Sequence, residues 1–389
     1  MRFSALVLTF GLVCASLVVA RAEPFETKAT VALLIDEGAG MALLDKGGDK
    51  PIEPASMAKL MVMAVVGDAL EKGETSLTAD LPVSESAWRT GGAPSGTATM
   101  FAALRSRIPV QDLLRGVAVQ AANDACLILA EGLSGSEAAF VERMNTLAAQ
   151  IGLTGSVFKN ATGQPVPGQV MTARDLARLS THIRQKHPDL YRLYGEPDFT
   201  WNKIFQRNRN PLIGQNIGAE GLVAGGTKDN GFSLVGVVTR GDRRLTLVIS
   251  GLATAEDRLA EARRLLDWGF GSFGPRTFFD KSAVVGSAQV FGGDAWSVPV
   301  ATIDKVEALV RMDAPEKMEA RIAYLGPIAA PVKAGQRIGE LQILRDGIVG
   351  YRAPLVATAD VGVGSVPTRA FGSIIELFAA LWHKGAISL

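Results

Sequence analysis

Between residues 29 and 270 the strand-type segments lie mostly at the two ends and the helix-type segments between them, which limits the fold more than any composition figure. The β-rich run Ala29 to Ile35 and the short run Met41 to Leu44 flank the turn Glu37-Gly38-Ala39-Gly40, and Phe232 to Thr239 joins Leu245 to Leu252 through Arg240-Gly241-Asp242-Arg243. Both pairs read as hairpins. Helical segments fill the interval: Gln111 to Val119, Ala125 to Leu133, Ser136 to Ile151, and an amphipathic stretch with Leu176, Leu179 and Ile183 on one side. Thr172-Ala173-Arg174-Asp175 reads as the capping box of that last helix. A further amphipathic helix is expected from Ala255 to Phe270. Hairpins at the ends with helices clustered between them predict an α+β domain with an antiparallel sheet, not alternating βαβ units. Ser84 to Thr99, with Gly91-Gly92, Pro94 and Gly96, reads as a loop, as does the segment Gly163 to Gly168.

After Gly271-Ser272-Phe273-Gly274-Pro275 the pattern changes. Short β-type segments (Ala283 to Val290, Val306 to Val310, Ala320 to Tyr324, Leu341 to Leu344) are separated by Gly and Pro turns, which predicts a small all-β sandwich over residues 274–367. At the other end, Arg2, the apolar run Ala5 to Ala20 and the small-x-small site Ala20-Arg21-Ala22 read as a cleaved export signal over residues 1–22, with an uncleaved anchor as the alternative. The mature chain then begins at Glu23 and holds one cysteine, Cys126, inside an apolar run, so no internal disulfide is expected and Cys126 reads as a buried small hydrophobe. In residues 368–389, Phe371, Ile374, Ile375, Phe378, Leu381 and Trp382 share one helical face. Polar residues interrupt the stretch too often for a membrane span, so it reads as an amphipathic helix lying on a membrane surface or docked on its own protein.

The formal net charge of +1 argues against nucleic acid as a main partner. No Gly-rich phosphate loop follows a strand, so no nucleotide cofactor is indicated. The three histidines, His182, His187 and His383, show no ligand spacing; His182 and His187 are expected on or just after a solvated helix, and no metal is expected.

The chemistry-bearing stretch is Pro54-Ala55-Ser56-Met57-Ala58-Lys59. Pro54 holds the residue before it out of helical geometry, and the apolar run that follows predicts a helix opening near Ser56 and stopping near Gly73. Residues three apart on a helix share a face, so the Ser56 hydroxyl and the Lys59 amine are expected side by side. A serine is a weak nucleophile until a neighbour takes its proton, and a lysine can do so only when burial or another cation lowers its pKa. Ser-x-x-Lys alone is a common pattern; its weight comes from partners elsewhere.

Those partners carry a resemblance. Trp88-Arg89-Thr90-Gly91-Gly92, Asn123-Asp124-Ala125-Cys126, Asn208-Arg209-Asn210-Pro211-Leu212 and Leu265-Leu266-Asp267-Trp268-Gly269-Phe270, with the β-rich tail and terminal amphipathic segment, resemble low-molecular-mass penicillin-binding proteins of the D-alanyl-D-alanine carboxypeptidase type (serine peptidase family S11). The resemblance spans nearly the whole mature chain and implies the penicillin-binding/β-lactamase-like transpeptidase fold over residues 23–273. It also implies an exported, periplasmic hydrolase attached to the outer face of the cytoplasmic membrane through its C-terminal helix, with peptidoglycan stem peptides as substrates and β-lactams as covalent inhibitors. Ser56 is then the implied nucleophile, Lys59 its base, and Asn123 a side-chain amide donor to substrate. The backbone N–H of Ser56, with one from the strand near Thr227, is the implied oxyanion hole. Gly225 and Thr227 belong to the strand that lines the substrate. Arg209 and Arg258 align with arginines near the substrate carboxylate; the alternative is that they pair with surface acids.

Two positions depart from the family signature of Ser-x-x-Lys, Ser-x-Asn and Lys-Thr-Gly. Ala121-Ala122-Asn123 has lost the serine, and Val223-Ala224-Gly225 has lost the lysine. Lys228 lies five residues beyond Val223, an offset that points to the opposite face of a strand. The departures predict weakened turnover, with a catalytically silent peptidoglycan binder or scaffold as the alternative. A class A β-lactamase shares Ser-x-x-Lys but leaves the β tail and terminal helix unexplained.

Overall fold

A computed structural model describes residues 25–227, 229–313, 318–345 and 348–365. The expected export signal, the terminal amphipathic helix and Lys228 lie outside the described residues.

Strands β1 (Val31–Asp36) and β2 (Met41–Lys46) form the first hairpin. A 3-10 turn, Ala55–Ala58, runs directly into α1 (Lys59–Glu71), so the expected helix is present, its first turn tightened. The short antiparallel pair β3 (Asp80–Pro82) and β4 (Arg107–Pro109) brackets α2 (Glu85–Gly91). Helices α3 (Val110–Gln120), α4 (Asn123–Ser134), α5 (Glu137–Gln150), α6 (Ala173–Lys186) and α7 (Pro188–Arg192) follow. Then come the ribbon β5 (Asp198–Trp201) and β6 (Ile204–Arg207), strands β7 (Ala219–Thr227), β8 (Gly231–Arg240) and β9 (Arg243–Leu252), and α8 (Ala255–Gly271).

The main sheet is antiparallel, in the order β2-β1-β9-β8-β7, so the N-terminal hairpin pairs with β9 as the chain returns. Its two faces bury two cores with period-two alternation. Val31, Leu33, Val235, Val237 and Val248 face the helical cluster, while Ala32, Leu34, Leu247 and Ile249 face Ala262, Leu265 and Leu266 of α8. Covering both faces explains why β8 and β9 read as continuous apolar runs. Helix α1 is apolar nearly all round because it runs through the middle of the helical core.

The C-terminal region is all-β. Strands β10 (Phe273–Phe279), β11 (Val284–Phe291), β12 (Ser297–Thr302), β13 (Val306–Arg311), β14 (Met318–Tyr324), β15 (Ile328–Ala329), β16 (Arg337–Arg345) and β17 (Ile348–Ala357) form a six-stranded sheet, β14-β16-β17-β12-β11-β15, and the ribbon β10-β13. Val306 and Ala308 of the ribbon share a core with Val298, Val300, Leu341 and Leu355 of the sheet, giving two unequal layers.

Three local expectations are corrected. Residues 84–99 are not all loop: Ser84 Oγ accepts from the Ala87 N–H at 2.9 Å and caps α2, with the glycines only at its end. Only half of the capping box forms. Thr172 Oγ1 accepts from Asp175 N–H, but the Asp175 carboxylate takes Gly155 N–H and Ser156 Oγ, both at 2.8 Å, tying α6 to the preceding loop. His187 is not solvated. The chain leaves helical geometry there (φ −128°, ψ 59°), folding the ring back onto α1, where the residue is buried.

Candidate active site

Ser56 follows Ala55, whose φ of 47° puts a non-glycine residue in the left-handed region and turns the chain sharply into the 3-10 turn. Ser56 is half-buried and Lys59, three residues on, is buried; Lys59 Nζ donates to Ser56 Oγ at 3.2 Å and also to the Thr162 carbonyl. The Thr162-Gly163 segment reaches this close because Gly163 has φ 76° and no side chain; a Cβ there would stand 1.9 Å from the Ala55 carbonyl oxygen. Burial pulls the Lys59 amine down from its ordinary value of 10.5 to about 8; the Cys126 thiol opposes this and the Arg209 charge adds to it. Near neutral pH the amine is thus close to the point where it can take a hydroxyl proton. Cys126 itself is driven up to about 12 by burial and is no nucleophile.

Helix α3 ends at Ala121, again left-handed with φ 51°, and α4 begins at Asn123. Asn123 Nδ2 donates to Thr97 Oγ1 at 2.9 Å, while its Oδ1 is buried with no hydrogen-bond partner. Asp124 holds the loop that supplies Thr97: its carboxylate accepts from Thr99 Oγ1 and from the Met100 and Ala102 N–H groups, both at 3.0 Å. Asn123 and Cys126 lie three residues apart on α4, and Cys126 shares the helical core with Met57 and Ala58.

Strand β7 forms the facing wall. A Cβ on Gly225 would lie 3.1 Å from the Ser56 nitrogen, so the strand passes beside the nucleophile's backbone. Val223 is buried, paired with Val235 and packed in the helical core, so this position is apolar. Thr227 Oγ1 donates to Glu53 at 3.3 Å and accepts from the Asn230 N–H. Arg258 of α8 reaches over the strand, donating to the Gly225 carbonyl at 3.3 Å with its guanidinium 5.5 Å from the Phe232 ring, and burial pulls its pKa down. Arg209 is tied to the end of α3 by its side-chain bond to Gln120 Oε1 and its N–H bond to the Val119 carbonyl at 3.0 Å.

These elements enclose an open cleft of about 550 Å³ lined by Ser56, Arg209, Gly225, Thr227, Phe232 and Arg258, among others. Five of the seven residues singled out from the sequence line it; Lys59 stands behind Ser56, and Asn123 is buried beside Thr97. Among the described residues, neither Arg209 nor Arg258 has a carboxylate at ion-pair distance, which disfavours the surface-pair alternative. Both guanidinium groups thus belong to the lining of the cleft that holds Ser56. Sequence reasoning missed the Thr162 carbonyl, Thr97, the Asp124 clamp, Glu53 and Phe232, because each depends on tertiary contacts that no local pattern reports.

A family profile described as D-alanyl-D-alanine carboxypeptidase matches residues 18–254, and one described as penicillin-binding protein 5, C-terminal domain, matches residues 273–363. The chain is 33% identical over 355 residues to D-alanyl-D-alanine carboxypeptidase DacC of Escherichia coli, covering 90% of this chain and 88% of the relative. The crystal structure of penicillin-binding protein 5 from Haemophilus influenzae superposes with a TM-score of 0.70 at 34% identity, covering 87% of this chain and 99% of that one. Penicillin-binding protein D2 of Listeria monocytogenes, solved in an ampicillin-bound form, superposes over 63% of this chain and 98% of that one with a TM-score of 0.55 at 28% identity. With a profile over more than half its length and relatives across nearly all of it, the chain belongs to the serine D-alanyl-D-alanine carboxypeptidase family.

Proposed function

We propose that the protein removes the terminal D-Ala from peptidoglycan stem peptides through an acyl-enzyme on Ser56, at a rate lowered by Ala121 and Val223. The observation that carries this reading is the Ser56–Lys59 hydrogen bond opening on a cleft with two arginines free of acid partners. Ser56 Oγ attacks the carbonyl carbon of the penultimate D-Ala as its proton passes to Lys59 Nζ. The oxyanion is met by the Ser56 N–H and one from β7 near Thr227. The C–N bond breaks and the amine of the terminal D-Ala leaves with a proton. Ala121 has no hydroxyl to relay that proton, so it comes from Lys59 directly, a less favourable path. Water then hydrolyses the ester. Arg209 and Arg258 hold the terminal carboxylate, with Gly225 and Thr227 along the substrate backbone, and Asn123 orients the peptide amide through its unpartnered Oδ1 or, after a half-turn of the amide, through Nδ2. β-Lactams, which mimic the D-Ala-D-Ala unit, acylate the same serine.

A second reading, a silent relative that binds peptidoglycan or scaffolds wall enzymes, is favoured by one observation, the apolar packing of Val223 where the family carries a cation. Incubation with a fluorescent penicillin separates the two. A covalent label that disappears in Ser56→Ala supports the enzyme; muropeptide binding without any label sinks it. Cell fractionation of the labelled protein tests the proposed export and membrane attachment: it should pellet with membranes and be released when residues 368–389 are deleted.

A further inference from the structure

Away from the cleft, two of the chain's three histidines converge with a carboxylate at the far end of α1. His187 lies flat over Gly67; a Cβ at that glycine would lie 2.5 Å from the imidazole, so the slot exists only because residue 67 has no side chain. Its Nε2 meets Asp68 Oδ1 at 3.2 Å. His182 approaches edge-on, with ring centroids 5.9 Å apart at 81°, and its Nε2 is buried without a hydrogen-bond partner. One donor atom from each of Asp68, His182 and His187 lies within 4.8 Å of the other two. The absence of ligand spacing expected from the sequence is thereby corrected: five residues apart would be a poor pair on one helix, but α6 ends between them.

We propose that Asp68, His182 and His187 bind a divalent transition-metal ion of the zinc type. Two imidazole nitrogens and one carboxylate oxygen suit zinc and disfavour magnesium, which prefers an all-oxygen shell. Tetrahedral ligation at about 2.0–2.1 Å brings donors to roughly 3.3–3.5 Å of one another, so the cluster contracts by about 1 Å, mostly through half-buried His182. His182 also lines a cavity of about 670 Å³ beside the cluster. The ion ties α6 to the helix whose other end carries Lys59.

The test is calorimetric titration of the full, tag-free chain with zinc chloride, with cobalt(II) absorption as the second readout. One ion per chain is expected, with tetrahedral cobalt bands and a rise of several degrees in Tm under excess zinc, absent with magnesium. His182→Gln and Asp68→Asn should each weaken zinc by at least about tenfold while the fold, checked by circular dichroism, persists. His383→Gln should change nothing. Absence of saturable zinc binding, binding unaffected by His182→Gln, or binding lost with His383→Gln overturns the proposal.

Discussion

On one wall of the cleft, Lys59 donates to both Ser56 and the Thr162 carbonyl at a helix start. On the facing side, Ala121 and Val223 are buried and offer only apolar groups. The backbone is sharply shaped on both sides: Ala121 takes a left-handed turn and Gly225 passes close to Ser56. Nucleophile activation and substrate anchoring are therefore separable here. In the proposed reading the first rests on burial of Lys59 and the second on Arg209 and Arg258.

Restoring the altered wall gives the largest expected effect. Ala121→Ser combined with Val223→Lys should raise kcat/KM on a D-Ala-D-Ala peptide by about 10²–10⁴, the ordinary contribution of acid–base groups. No gain in D-Ala release would mean that the intact wall, not the altered one, limits turnover. Arg258→Ala should cost about 1.5–3 kcal/mol of carboxylate recognition, read as a roughly 10–100-fold loss in acylation by peptide with Ser56 still labelled at high penicillin concentration. An unchanged rate would return Arg258 to a packing role over Phe232.

The smallest effect is in pH. With the Lys59 amine near 8, about a tenth is neutral at pH 7, so acylation should rise about tenfold per unit below 8 and level off above it. Arg209→Ala removes a charge that helps hold the amine down, which should move the rise to higher pH. The same group links to stability with a definite sign. Its folded pKa lies below the ordinary 10.5, so the unfolded chain binds the proton more tightly and stability should rise from pH 8 toward 10.5. Denaturant titrations of the native chain and Lys59→Met across that window would show whether this slope belongs to Lys59.

The order of hairpins and helices was legible because the sheet is buried on both faces and its strands are long apolar runs. Ser56 and Lys59 were legible because three-residue spacing is a local property of a helix. The Asp124 clamp on residues 99–102 was not, since its partners lie more than 20 residues away and nothing periodic connects them. Helix α2 was hidden by the glycines that end it, although Ser84 marked its start. His187 was misjudged because its burial follows from one backbone break after α6 and from a glycine on another helix.

Holding an alanine in the conformation of residue 121 costs about 1–2 kcal/mol relative to an ordinary helical residue. A chain under no demand at that corner could relax it, yet the corner persists with nothing to present. Because the corner is already bent at residue 121, the Ala121→Ser half of the double variant tests a side chain at a fixed turn and not a rebuilt main chain.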